Sequence, residues 1–110
     1  MSLFLDKPWR NAVELHGLPG HMGVFELADA EGTVLYVGYA GGRSRYGLRS
    51  EIGEALTRMA AELGACRCRY EVTTAYLTRW QELLMAHRAR HGTLPSGNSP
   101  VPGLGRLSPP

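Results

Sequence analysis

Cysteine is scarce in this chain of 110 residues: Cys66 and Cys68 are all it has. An even, spaced set that could staple a small secreted fold is missing, so a disulfide framework is excluded. Long apolar runs are also missing, and nothing is long enough to cross a bilayer as a helix. Asp6 and Lys7 interrupt the N-terminus before a signal-peptide core could form. The expectation is therefore a cytoplasmic chain with no membrane partner. Charge of either sign is not in large excess, with 12 Lys and Arg against 10 Asp and Glu for a net +2. That balance tilts toward polyanions but lacks the dense positive field of a strongly basic DNA-binding domain. Internal repeats are absent, and the length fits one domain with a single modest core.

What is present is period. Met22 to Ala28 and Thr33 to Gly38 read as strands, and Asp29-Ala30-Glu31-Gly32 between them supplies turn chemistry for a β-hairpin. Tyr39 to Arg45, YAGGRSR, reads as a glycine-rich basic loop. From Tyr46 to Leu63 the apolar residues Leu48, Ile52, Ala55, Leu56, Met59 and Leu63 recur at helical spacing, and Gly64 ends the helix. Glu54 and Arg58, four apart, are expected to support it as an ion pair.

Cys66 to Thr73 alternates Cys66, Cys68, Tyr70 and Val72 against Arg67, Arg69 and Glu71, which predicts a third strand with one wet face. Thr73 or Thr74 caps a second helix from about Ala75 to Arg90, whose apolar stripe is Tyr76, Trp80, Leu83, Leu84 and His87. Gly92 stops it. The predicted fold is α+β, a small mixed three-stranded sheet flanked by helices in the order β-β-α-β-α. Its core is expected from Val24, Leu35, Val37, Leu48, Ile52, Leu56, Tyr70, Val72, Trp80 and Leu84. Residues 1–20 read as an irregular lead-in with one helical turn near Asn11 to Leu15. Residues 21–98 read as the domain, and residues 99–110 as a disordered tail rich in proline, glycine and serine.

Two tripeptides, Gly23-Val24-Phe25 and Tyr36-Val37-Gly38, sit one in each strand of the hairpin. With the proline turn in LPGHMGVFEL before the first and Pro95-Ser96-Gly97-Asn98 after the last helix, the chain resembles the GIY-YIG domain family. The likeness runs from about Leu18 to Asn98, with GVF and YVG standing for the two motifs. It implies a nucleic-acid-associated domain and a metal-dependent endonuclease that cuts phosphodiester bonds. In that family one divalent metal, here Mg²⁺, rests on a helix glutamate, while tyrosine and arginine address the scissile phosphate.

Carried over residue by residue, the likeness implies Tyr36 and Arg49 as catalytic groups and Glu82 as both catalytic residue and metal ligand. Arg43, Arg45 and Tyr46 would then contact nucleic acid. Phe25 stands where the family has tyrosine, so one hydroxyl is missing, and Phe25→Tyr would restore it. Counting back from Asn98 by the family distance falls near Ala86, one turn from Glu82. A second set, Cys66-x-Cys68 with His87-x₃-His91, has the residue types of a zinc site, although Cys-x-Cys is short for one. The competing class is a catalytically inactive domain of the same fold that binds nucleic acid or a protein. Its nucleic-acid binding is expected to be weak and salt-sensitive, because few phosphates can be neutralised.

Overall fold

A computed structural model describes residues 4–11, 17–101 and 103–104. The helical turn expected near Asn11 to Leu15 lies almost wholly outside them, as does most of the expected tail. The elements are β1 (Arg10–Asn11), β2 (Gly23–Ala28), β3 (Val34–Ala40), α1 (Gly47–Leu63), β4 (Arg67–Val72) and α2 (Tyr76–His91). The sheet is four-stranded in the order β1-β4-β2-β3, and every neighbouring pair is antiparallel.

Two expectations are corrected here. The sheet has four strands because the lead-in contributes β1, whose Arg10 and Asn11 pair with Cys68 and Arg67. It is antiparallel rather than mixed because of where α1 returns the chain. β4 points the same way as β3 but lies on the opposite side of β2, with Ala28 opposite Arg67 and Gly23 opposite Val72.

The hairpin turn is held by Asp29, whose Oδ1 accepts from the Glu31 N–H at 2.9 Å and the Thr33 N–H at 3.0 Å. This is the side-chain turn for which Asp is suited. β3 runs two residues further than its sequence suggests, to Ala40, so Tyr39 is a strand residue paired with Val24.

Helix α1 begins without a side-chain cap. Its orphan amides are satisfied by the proline turn instead, with Leu48 N–H donating to the His21 carbonyl at 2.9 Å and Arg49 N–H to that of Pro19 at 3.2 Å. Gly47 permits this approach, since its φ is +59° and a Cβ there would strike the Gly20 and His21 backbone. Gly64 and Gly92 close α1 and α2 in the left-handed conformation, as expected of helix-ending glycines. α2 is capped by neither threonine; Thr73 Oγ1 instead accepts from the Ala75 N–H, one residue before the helix.

Both faces of the sheet are covered. On the α1 side, Phe25, Leu27 and Cys68 pack with Leu48, Ile52, Leu56 and Met59, and Leu18 joins from the lead-in. On the α2 side, Val24 and Val37 pack with Leu83 and Leu84, and Leu5 joins them. The alternation in β4 therefore separates two packed faces rather than a dry and a wet one. Of the expected core, Tyr70 and Trp80 are half-buried and Val72 is exposed at the end of β4. No described helix is long and apolar enough to cross a membrane.

Candidate functional site

The two tripeptides form one packing unit. Phe25 of β2 and Tyr36 of β3 meet at a centroid distance of 5.9 Å with their planes tilted by 49°. A Cβ on Gly38 would enter both rings, and a Cβ on Gly23 would strike the Glu71 carbonyl and the Leu48 side chain. Each glycine is thus required by close approach, one of rings and one of backbone. The exit segment closes on the same strand. Asn98 Oδ1 accepts from the Val37 N–H at 2.9 Å, and its Nδ2 donates to the Val37 carbonyl at 2.9 Å. Gly97 N–H donates to the Leu35 carbonyl at 2.7 Å.

Tyr36 is half-buried on the α1 side, since its register partner Leu27 belongs to the α1-facing core. The cation beside it is Arg58, whose Cζ lies 5.7 Å from the ring centroid. Arg58 thus takes an aromatic partner, and the expected pair with Glu54 is not among the ion pairs of the described residues. Arg49 is exposed in the first turn of α1, and its Nε–H donates to the Leu18 carbonyl at 3.0 Å.

Glu82 lies on the other side of the sheet. Its carboxylate is 3.6 Å from Arg79 Nη1, while Arg79 Nε binds Glu71 at 3.1 Å and Nη2 donates to the Phe4 carbonyl at 3.1 Å. Glu71 opposes Val24, which faces α2. The sheet therefore stands between Tyr36 and Glu82. Tyr36, Arg49 and Glu82 each hold different partners and do not form one constellation.

A magnesium ion on Glu82 would have to be held by the oxygens around it. Mg²⁺ needs an octahedral set of oxygens, built from carboxylates and water. Here Glu71 and Glu82 already share one guanidinium, which bridges them and offsets one of their two negative charges. The arrangement does not fit a magnesium centre. The alternative zinc set also fails to assemble. Cys68 is buried in the α1-side core, while His87 and His91 meet at a centroid distance of 4.4 Å with their planes tilted by 39° near the end of α2, and His87 Nδ1 lies 2.9 Å from the Thr93 carbonyl. No group of three or more His, Cys, Asp or Glu side chains that could hold a metal occurs among the described residues. Burial pushes the His87 imidazolium below its ordinary value; the Thr93 carbonyl opposes this, and His91 adds to it.

Residues 3–90 match the family model described as Domain of unknown function (DUF7508). The chain belongs to that family. No curated protein and no solved structure matches it. The DUF7508 match covers β1 to β4 and all but the end of α2, and it stops short of Asn98.

Three exposed basic side chains of this DUF7508 domain lie close in sequence, from the β3–α1 loop into the first turn of α1, while Lys7, Arg10, Arg58 and Arg90 are exposed elsewhere. Arg43, Arg45 and Arg49 are exposed, and so is Tyr46, 55% exposed with Arg45 Cζ 5.4 Å from its ring centroid. The loop itself is ordered by Ser44, whose Oγ accepts from the Gly41 N–H at 3.2 Å and donates to Glu51 at 3.0 Å.

Sequence reading missed Glu26. It is 4% exposed and is the one buried charged residue among those described. Its Oε1 accepts from Arg69 Nε at 2.7 Å, and Arg69 lies 4.0 Å from the Trp9 ring centroid. Burial raises the Glu26 carboxyl above its ordinary value, with Arg69 and then Arg79 pulling it back. The available signal was an acid in the centre of an apolar strand.

Proposed function

We propose that this chain is a divergent GIY-YIG-type domain that binds nucleic acid through the β3–α1 loop without cutting it. The observation that carries the reading is the exposed set Arg43, Arg45, Tyr46 and Arg49 on one short stretch of chain. Arginine forks suit phosphate oxygens, and an exposed aromatic among them suits an unpaired base. All but one of the chain's twelve basic residues are arginine, which favours planar phosphate contacts over diffuse ammonium charge.

Two features support the family likeness. The Gly23, Phe25, Tyr36 and Gly38 packing gives both tripeptides a shared physical purpose, and Asn98 grips the strand that carries Tyr36. The enzyme reading is weakened by the same geometry. Phe25 is buried and has no hydroxyl, and Glu82 is engaged by Arg79 across the sheet from Tyr36.

The test is titration of labelled single- and double-stranded oligonucleotides at low and moderate salt. Three phosphate contacts on a single strand give log K against log salt a slope of about −2. The Arg43→Ala, Arg45→Ala, Arg49→Ala triple variant should abolish that slope. Absence of binding at low salt would overturn the proposal in favour of a protein partner.

A further inference from the structure

Tyr39 is the residue that a loop assignment hides. As the penultimate residue of β3 it emerges on the α2 side of the sheet, 38% exposed. Tyr76, at the start of α2, stacks on it at 5.7 Å with the planes 16° apart. Trp80, one turn further along α2, meets it edge-on at 5.1 Å and 64°. That indole is fixed in turn, because Nε1 donates to the Val37 carbonyl at 3.0 Å. Three aromatic side chains thus hold one another in place at the surface, where an isolated exposed ring would be free to rotate.

The glycines of the loop explain what lies in front of this platform. A Cβ on Gly41 would press into the Tyr76 ring at 2.9 Å, so glycine lets the backbone lie against it. Gly42 N–H points to the Tyr76 hydroxyl at 3.5 Å. Between loop and platform is an open cavity of about 280 Å³, bounded by Tyr39, Tyr76, Leu77, Gly41, Gly42 and Arg43. That is below the size of a drug-like ligand site and suits one planar ring system. Leu77 adds a 48% exposed apolar wall. No carboxylate lines the cavity, and Arg43 forms no ion pair among the described residues.

We infer that this cavity is a base-stacking subsite: one unpaired base of a single-stranded nucleic acid stacks in front of Tyr39 and Tyr76, with Arg43 on its phosphate. The inference rests on the nucleic-acid reading above and adds which strand form and which residues are used. Stacking explains the tolerance such a site would have, since every base offers a π-face. A duplex keeps its bases paired and cannot offer one, so the subsite selects single strands.

The experiment compares a single-stranded oligonucleotide with the same backbone carrying abasic positions, titrated into the intact chain, its Tyr39→Leu variant and its Tyr39→Phe variant. Tyr39→Leu keeps apolar bulk on the strand and removes the ring. It should weaken the ordinary strand by about tenfold, within the range known for one stacked base, with the salt slope unchanged. Tyr39→Phe should bind within about twofold of the wild type, and the abasic strand should bind the wild type at least as weakly as the ordinary strand binds Tyr39→Leu.

Equal affinity of wild type and a folded Tyr39→Leu would overturn the subsite and leave the arginine loop standing. Should Tyr39→Leu fail to fold, equal affinity of the wild type for ordinary and abasic strands overturns it just as well. A purine mononucleotide that binds as tightly as the strand would make the cavity a free-nucleotide site and contradict the strand reading. Failure of the wild type to bind any strand would remove the nucleic-acid reading itself.

Discussion

Asn98 and Val37, 61 positions apart, make a reciprocal pair of hydrogen bonds: the carboxamide accepts from the Val37 N–H and donates to its carbonyl, each at 2.9 Å. Val37 is fully buried in the α2-side core. The chain after α2 is thereby tied to the central hairpin at the strand that carries Tyr36.

Asn98→Ala should therefore destabilise the fold. The Val37 carbonyl keeps Trp80 as donor, but the buried N–H loses its acceptor, at a cost of about 1–3 kcal/mol. For a domain of this size that lowers the melting temperature by several degrees. Calorimetry checks it, and an unchanged melting temperature would show that the clamp is dispensable.

Gly38→Ala should cost about 1–3 kcal/mol as an overpacking change, because the new methyl enters the Phe25 and Tyr36 rings. Phe25→Tyr, the substitution that would restore the family hydroxyl, should also destabilise. Phe25 is 1% exposed and its Cζ lies against Gly38 beside the Tyr36 ring, so an added hydroxyl would be buried in a closely packed spot. Urea unfolding of both variants measures the effect.

Glu26 gives a dependence on pH with a defined sign. Its folded-state pKa is raised above the ordinary 4.5, chiefly by burial, so the folded state binds the proton more tightly than the unfolded chain. The resulting stability is fully present below 4.5 and is lost as pH rises through the folded value. Relative to Glu26→Gln, which does not titrate, the wild type should lose stability as pH rises from 4 toward neutrality. Urea melts of both proteins across that range test it; a constant difference would show that Arg69 fully compensates burial.

Much of the architecture was legible from period alone. The hairpin, α1 and α2 were placed within a few residues because apolar spacing and the glycines at 32, 64 and 92 act locally. β1 was not legible, since two residues carry no period and their partners lie more than fifty positions away. Tyr39 was hidden for a related reason: the glycines at 41 and 42 make the whole stretch look like loop, while pairing with Val24 extends the strand through it. Val72 alternates as a core residue should, yet it is exposed at the last position of β4, opposite Gly23, which has no side chain to pack against it. The candidate site suffered most. Arg49 binds the Leu18 carbonyl and Glu82 binds Arg79, and no spacing rule reports which side of a sheet a helix will cover.

Glu82 supplies a direct contrast between the two functional classes. Glu82→Gln should leave nucleic-acid affinity within about twofold of the wild type, because the residue lies across the sheet from the arginine loop and carries the wrong charge for phosphate. Incubation of wild type and variant with oligonucleotides in Mg²⁺ or Mn²⁺ checks the chemistry. Intact strands throughout agree with a binding domain, whereas cleavage that disappears in Glu82→Gln would restore the nuclease assignment.

The most direct test of the nucleic-acid face is residue-resolved: ¹H–¹⁵N correlation spectra recorded while a single-stranded oligonucleotide is added at low salt. Shifts should concentrate on Tyr39 through Arg49 and on the first turn of α2 at Tyr76 and Leu77, and moderate salt should reverse them. Shifts confined to the surface around Arg79 and Glu82, or no shifts at any strand concentration, would contradict the account.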